Sequence, residues 1–499
     1  MKKFITIILC TFCLVPVFGQ TIYSLDDFHQ QAIDANKSIQ ITRERLAVAE
    51  NLKKAAFTQF FPKITANGSY QWNQKNISLL AADALLPVGT QSSDGSFSFR
   101  MDQINNAVTL LPGGVPSILD SDGNAFDPTT NPEKIQFKDY AYLPKSAMEF
   151  DTQNIFVGTI SVVQPIFMGT KIIQLYNIAK NTQNIAALAN DEALQKLIIS
   201  VDENYWRIVS VYNKKELAKD YCKLLEKLYN NVKIAEDEGV ATKVDLLNIR
   251  VKLNEAQMSL TRAENGYALC KMALFEICGM DINANVELAD NNIEQKLVKI
   301  EAPVDPEEVL GKRAEIKTLN MAYNIAEANR KIMASRFMPN IIANANYIVS
   351  NPNSYNGYVN EFGGMFNAGI TISIPILHWG DELFTYRAAK HQSRIIELRT
   401  QQAENLIKLQ LSQQHFKLQE SNKSLDMTIK NVETAQENLN YAQDAYNEGL
   451  ITASDLMKAQ TAWIKAKSDR IDSSIDLRMC NLYFKRAQGE DIYQPTTEK

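Results

Sequence analysis

Two spacings of apolar residues alternate along this chain. Between about 170 and 238 the spacing is helical. Leu194, Ile198, Val201, Tyr205, Ile208 and Tyr212 step by 4-3-4-3-4, the seam of a coiled coil. A second run extends from Leu383 to Glu448, and no proline interrupts either one. Some 65–70 residues at about 1.5 Å each predict helices of about 100 Å, more than a compact domain uses. Shorter helical runs follow each, Thr242 to Cys278 and Thr452 to Gln488. Two more precede the other pattern. One opens at Ser24 with Asp26 and Asp27 in its first turn and runs through Asn36 to about Phe60. The other opens at Asp305-Pro306-Glu307-Glu308 and stops at Pro339, with its proline just inside the start.

After Pro62 and Pro339 the period changes to two. Ile64, Ala66, Gly68, Tyr70 and Trp72 alternate with Thr65, Asn67, Ser69, Gln71 and Asn73. Ile341, Ala343, Ala345, Tyr347 and Val349 repeat the pattern, with Ile342 and Ile348 as exceptions. Partner strands precede Pro165 (Phe156, Gly158, Ile160, Val162) and Pro375 (Phe366, Ala368, Ile370, Ile372, Ile374). Such alternation predicts strands with one apolar and one wet face. Four strands in two hairpins cannot close a barrel, and an open edge cannot sit in lipid. If these strands lie in a membrane, several chains must pool them. Tyr70, Trp72, Tyr347 and Phe366 near strand ends suit an interfacial girdle.

The chain is built twice. Gly239-Val-Ala-Thr242-Lys-Val-Asp245-Leu246-Leu247 recurs as Gly449-Leu-Ile-Thr452-Ala-Ser-Asp455-Leu456-Met457, 210 residues on. Pro165 and Pro375 precede these glycines by the same 74 residues, and Gly279 and Gly489 follow by the same 40. Matched breakers over this length mark a tandem structural repeat. Only the insert differs: Pro62 to Pro165 spans 103 residues, against 36 from Pro339 to Pro375. The extra residues fall in 77–150, a Gly-, Pro-, Asp- and Asn-rich stretch read as a long irregular surface loop, functional or mobile. Asp120, Asp122, Asn124 and Asp127 there lack the ligand spacing of a calcium loop, and are read as turn formers. The predicted organisation is a signal peptide (1–19), a first repeat (20–280) with surface loop 77–150 and turn 239–245, a linker (281–304), a second repeat (305–490) with turn 449–455, and a tail (491–499).

Met1-Lys2-Lys3, an apolar run to Val17 and Phe18-Gly19 read as a secretory signal cleaved after Gly19, since the apolar core is too short to span a bilayer. Cys10 and Cys13 do not fit a lipidation site. No later segment approaches the length of a transmembrane helix. Net charge is −5, which gives nucleic-acid binding no support. Cys222, Cys270, Cys278 and Cys480 read as buried small hydrophobes. Cys270 and Cys278 would lie about 12 Å apart on one helix, too far to bridge. His29, His378, His391 and His415 are scattered, with no metal-ligand spacing. No enzyme signature, metal site or cofactor site is predicted.

These features together resemble the TolC family of outer membrane efflux proteins over Thr21 to Gly489. The resemblance is carried by two copies of strand hairpin, long helix, Gly-x-x-Thr-x-x-Asp-Leu turn and return helix. Ala32-x-x-x-Asn36-Lys-Ser-Ile39 and Arg313-Ala-Glu-Ile316 also resemble family motifs. The implied fold is mainly α with membrane β. A homotrimer would pool four strands per chain into a 12-stranded outer-membrane β-barrel, continuous with a long periplasmic α-helical barrel. The implied function is a passive exit duct in a tripartite efflux or type I secretion system. Its partners would be outer-membrane lipid, a periplasmic adaptor and an inner-membrane pump of RND, ABC or MFS type. A periplasmic adaptor or coiled-coil scaffold without a pore is the alternative.

Locally, Gly239 and Gly449 end a helix, and Thr242/Asp245 and Thr452/Asp455 form variants of the capping box. The resemblance adds a role as the periplasmic tip and aperture, to which Tyr446 and Lys458 also belong. Glu236, Asp237, Glu238 and Glu448 would make an acidic mouth. Ile451 stands where the family's type member has an arginine that helps lock the closed state, and Lys458 where it has a second gate aspartate. A different latch is therefore expected, with Lys458 paired to a carboxylate. Pro62, Pro165, Pro339 and Pro375 mark the strand–helix junctions.

Overall fold

The computed structural model describes residues 21–492, apart from scattered positions within 88–139 and 290–304. The expected signal peptide, and the tail beyond Ile492, lie outside the described residues. The chain divides into two units, one of 1–59, 169–338 and 375–499, the other of 60–168 and 339–374. No described helix is long and apolar enough to cross a membrane.

The first unit is helical. It contains α1 (Leu25–Ala35), α2 (Lys37–Thr58), α3 (Lys171–Asp237), α4 (Lys243–Ile277), α5 (Pro306–Lys312), α6 (Ala314–Ser335), α7 (Asp381–Asn447) and α8 (Ala453–Ala487). Helices α3 and α7 have 67 residues each, and α4 and α8 have 35 each. Each return helix packs along its long partner, α4 on α3 and α8 on α7. The remaining length is covered by α2 on α3 and by α6 on both α3 and α7.

Two cores correspond position by position along the sequence. Ala32, Ile39, Leu197, Val201, Ile208 and Leu274 are buried in the first. Val309, Ile316, Ile407, Leu411, Leu418 and Phe484 are buried in the second. The shift is 277 for the leading helices (39 to 316) and 210 for the long and return helices (201 to 411). In the first core Phe28 meets Tyr205 and Phe275 at ring separations of 6.0 and 6.4 Å. Beside it His29, 7% exposed, places Nε2 2.8 Å from Oδ1 of the buried Asp202.

Each leading helix is broken, contrary to the continuous helices expected from sequence. Asn36 ends α1 and caps α2, accepting from the Ser38 and Ile39 amides. Its amide donates to the Ile277 carbonyl, 2.8 Å away, at the end of α4. Arg313 holds the same place between α5 and α6 and donates to the Arg486 and Ala487 carbonyls at the end of α8. Orphan carbonyls at both helix ends are thereby satisfied. Gly279 and Gly489 follow with φ of 65 and 75°. A Cβ on Gly279 would sit 2.8 Å from that of Ala35, and one on Gly489 3.0 Å from that of Lys312. A second feature the linker reading missed is a parallel pair, β1 (Thr21–Tyr23) with β4 (Val286–Leu288).

The second unit holds an antiparallel sheet of β2 (Lys63–Trp72), β3 (Asn154–Met168), β5 (Asn340–Asn351) and β6 (Gly363–Ser373), in the order β6-β5-β3-β2. Pro165 does not stop its strand. It lies within β3, and the register shifts between Pro165 and Phe167, a bulge of the kind that accommodates proline. Pro62 and Pro339 directly precede β2 and β5, and Pro375 follows β6. The insert is less irregular than its composition suggests. Ile77–Ser78 pairs with Glu149–Phe150, Ala84–Pro87 with Tyr140–Leu143, and Val108–Leu111 with Val115–Ile118.

The two clamps differ in strength. Arg313→Ala removes a buried guanidinium that also holds Glu315 and Gln410, and should lower stability by about 2–3 kcal/mol. Asn36→Ala should cost about 1 kcal/mol. Thermal unfolding in detergent checks the order, and an equal or larger loss for Asn36→Ala would contradict it.

Candidate functional site at the paired helical turns

The two turns are built alike. Gly239 and Gly449 have φ of 77 and 74°. The Val240 amide donates to the Ala235 carbonyl at 2.7 Å, and the Leu450 amide to that of Ala445 at 2.8 Å. These are the long-range bonds of Schellman ends. Nothing lies within 4 Å of a Cβ built on either glycine, so the requirement for glycine is conformational. Thr242 accepts from the Asp245 amide at 3.1 Å, and Asp245 accepts from the Thr242 amide at 3.3 Å. The second turn keeps the hydroxyl half, with the Asp455 amide donating to Thr452 Oγ1 at 3.2 Å. There the carboxylate also accepts from Lys458 Nζ at 3.0 Å. Leu246 and Leu456 plug a shared core with Leu228, Val232, Leu439 and Trp463.

That core brings the two turns of one chain together. Tyr446, at the end of α7, is half-buried in it. Burial, and then the nearby Asp245 charge, push the Tyr446 hydroxyl above its ordinary value. Ile451 packs against the same core, so the position that would carry a locking arginine is apolar support. Trp463 donates to Gln436 Oε1 at 2.7 Å and carries Lys467 over its ring at 4.4 Å. Nothing in the turn motif points to Trp463; only its place one turn beyond Ala459 on the core face could have. The outermost residues are aliphatic: Val240 is 84% exposed and Leu450 72%.

The acidic residues flank the turns. Asp237, Glu238 and Glu448 are exposed, and Glu236 is half-buried with Lys243 Nζ at 3.5 Å. All four lie at the C-terminal ends of α3 and α7, whose last turns carry no basic residue. The helix dipole disfavours negative charge there, so these residues do not serve helix stability.

Other possible sites resolve into structure. Asp120 Oδ1 accepts from the Asp122 and Asn124 amides, and Asp127 from the Thr129 amide. Lys134 pairs with Asp122. Among the described residues no group of His, Cys, Asp and Glu is placed to hold a metal ion. The four described cysteines are free thiols, and burial pushes that of Cys278 up to about 12.

Residues 140–280 and 306–476 match the outer membrane efflux protein family. The match spans more than half of the chain, which belongs to that family. It is therefore an outer-membrane efflux protein, not a periplasmic adaptor or a coiled-coil scaffold, and its family is one of channels rather than enzymes. Similar solved structures include the open-state MtrE outer membrane channel of Neisseria gonorrhoeae, at 16% identity and a TM-score of 0.70, covering 95% of this chain and 91% of that one. VceC of Vibrio cholerae aligns at 13% identity and 0.68, covering 94% and 97%. The CmeC channel of Campylobacter jejuni aligns at 13% and 0.69, covering 93% and 85%. At these identities the likeness shows the fold. No curated protein sequence matches the chain.

The Thr452 hydroxyl and then the Lys458 ammonium hold the Asp455 carboxyl below its ordinary value of 3.8. A depressed value means the contribution is full above the ordinary carboxylate range and is lost as pH falls through the lowered value. A spin label at Leu450→Cys should stay ordered at neutral pH and gain mobility only in acid below about pH 3.8. Lys458→Ala should move that onset to higher pH. Mobility independent of pH would show that the carboxylate does not order the turn.

Proposed function

We propose that three copies of this chain form a passive exit duct of a tripartite efflux or type I secretion system. The duct crosses the outer membrane through pooled strands and extends into the periplasm as a helical tube. There it meets a periplasmic adaptor, which connects it to an inner-membrane pump. The observation that carries this is the sheet: among the described residues, neither β2 nor β6 has an outer neighbour. A sheet with two open edges is stable in lipid only when other strands close it. Large residues on it are exposed in the single chain, among them Ile64, Tyr70, Trp72, Phe366, Ile370 and Ile372.

We assign the paired turns to the periplasmic mouth. Six turns, two from each copy, would ring it. Asp245 and Asp455, with Glu236, Asp237, Glu238 and Glu448, would give it a negative field that favours cations. Lys243 beside Glu236 and Lys458 beside Asp455 temper this field within the same chain. An exposed pair of this kind holds weakly, which suits a group exchanged between carboxylates when the mouth opens.

Fractionation tests the reading first. A heat-modifiable trimer in the outer-membrane fraction is expected, and release with soluble periplasmic contents would refute it. In planar bilayers, replacing Glu236, Asp237, Glu238 and Glu448 with their amides should reduce cation preference several-fold. Lys458→Ala should change single-channel conductance; an unchanged value would remove Lys458 from gating.

A further inference from the structure

The sheet contains three joints between neighbouring strands, and two of them are the same joint. In the first hairpin Phe156 faces Tyr70 and Ser161 faces Thr65. Shifting β3 by 210 and β2 by 277 turns these into Phe366 facing Tyr347 and Thr371 facing Ile342, which are the pairs of the second hairpin. The hairpins are therefore equivalent residue for residue. The third joint links the second strand of one hairpin to the first strand of the next: Ile160 faces Tyr347, Ser161 faces Asn346 and Val162 faces Ala345. The second strand of the second hairpin, β6, and the first strand of the first, β2, have no such partner among the described residues.

We infer that β6 of one copy pairs antiparallel with β2 of another in the register of the β3–β5 joint, with Thr371 opposite Ser69 and Ile370 opposite Tyr70. The same shifts place Ile372 opposite Gly68 and Ala368 opposite Trp72. This rests on the reading of the chain as an assembly of copies, and adds which atoms join them. The side-chain pattern supports it independently. Ala368, Ile370 and Ile372 meet Trp72, Tyr70 and Gly68, while Asn367, Gly369, Thr371 and Ser373 meet Asn73, Gln71, Ser69 and Asn67. A slip of one residue would set every apolar side chain against the wrong face. A slip of two would keep the faces but break equivalence with the joint inside the chain. Each copy offers one β6 and one β2, so the contact runs head to tail and closes as a ring.

Disulfide trapping in the full-length protein in membranes tests the register. Within one copy β6 and β2 are three strand spacings apart, about 14 Å, beyond the roughly 7 Å that a disulfide spans. Any bond between them joins two copies. Neighbouring cross-strand pairs alternate between closer and wider spacing, so both Thr371→Cys/Ser69→Cys and Ile372→Cys/Gly68→Cys are used. At least one should give covalent dimers and trimers on a non-reducing gel, lost on reduction, while the native sequence and variants with only one of the two introduced cysteines stay monomeric. Stronger trapping in Thr371→Cys/Asn67→Cys or Thr371→Cys/Gln71→Cys would overturn the register while leaving the assembly intact. No trapping in any pair, in a protein whose mass in detergent is that of several copies, would overturn the β6–β2 joint. A mass of one copy would overturn the assembly itself.

Discussion

The apolar seam of α3 and α7 sets the terms for the helical unit. A helix of 67 residues draws most of its stability from covering its apolar stripe. The return helices have 35 residues, so each covers about half. The leading helices α2 and α6 must supply the rest. Return and leading helices then meet partway along the long ones, and each meeting exposes helix ends. Asn36 and Arg313 supply the missing donors, and Gly279 and Gly489 allow the close approach. The breaks in the leading helices are thus consequences of the seam's length.

The two copies obey the same geometry with different chemistry. Asp202 is buried in the first copy, and its counterpart at the shift of 210 is the exposed Ser412. A buried carboxylate needs a partner, because an unpaired one is costly. His29 provides it, while the matching position at the shift of 277 is Pro306, which opens α5. Carboxylate and imidazole occur together in one copy and are absent together in the other. At the turns, Tyr446 of the second copy corresponds to Glu236 of the first. Each turn carries one lysine near one of its carboxylates, Lys243 with Glu236 and Lys458 with Asp455. The lysines come from different positions, so the repeat fixes backbone and core but leaves the charges free to diverge.

What the sequence makes legible follows from how local the cause is. The long helices, the four main strands and the glycine turns follow from period, capping and φ, which are properties of short windows. The break at Asn36 has no proline or glycine beside it, and at Arg313 the nearby Gly311 has no matching glycine in the first copy. Both breaks are fixed by carbonyls of Ile277 and Ala487, which are distant in sequence. The pair of Thr21–Tyr23 with Val286–Leu288 is three residues long and parallel, too short for alternation to register. The strands of the insert are equally short, and its turn-rich composition hides them. Pro165 reads as a stop because proline lacks an amide donor, and a bulge lets the strand pass through it. At the candidate site the motif exposes Gly, Thr, Asp and Leu. It does not expose Trp463 or the supporting role of Ile451, since both depend on which helix faces which across the shared core.

The glycine turns answer to two demands that can be separated by their electrostatics. Thr242, Asp245, Thr452 and Asp455 sit at helix N-termini, where a hydroxyl cap and a negative charge both stabilise. Their presence is fully explained by the fold and says little about function. Glu236, Asp237, Glu238 and Glu448 sit at the opposite pole, where the dipole opposes them, and Val240 and Leu450 expose aliphatic surface beside them. Neither the charges nor the aliphatics help the isolated chain fold. Residues that cost stability locally, as Glu238 and Glu448 do at matched places beside the matched Val240 and Leu450, are the ones whose retention requires a role outside the chain. At these turns that criterion selects the acidic and aliphatic residues over the capping aspartates.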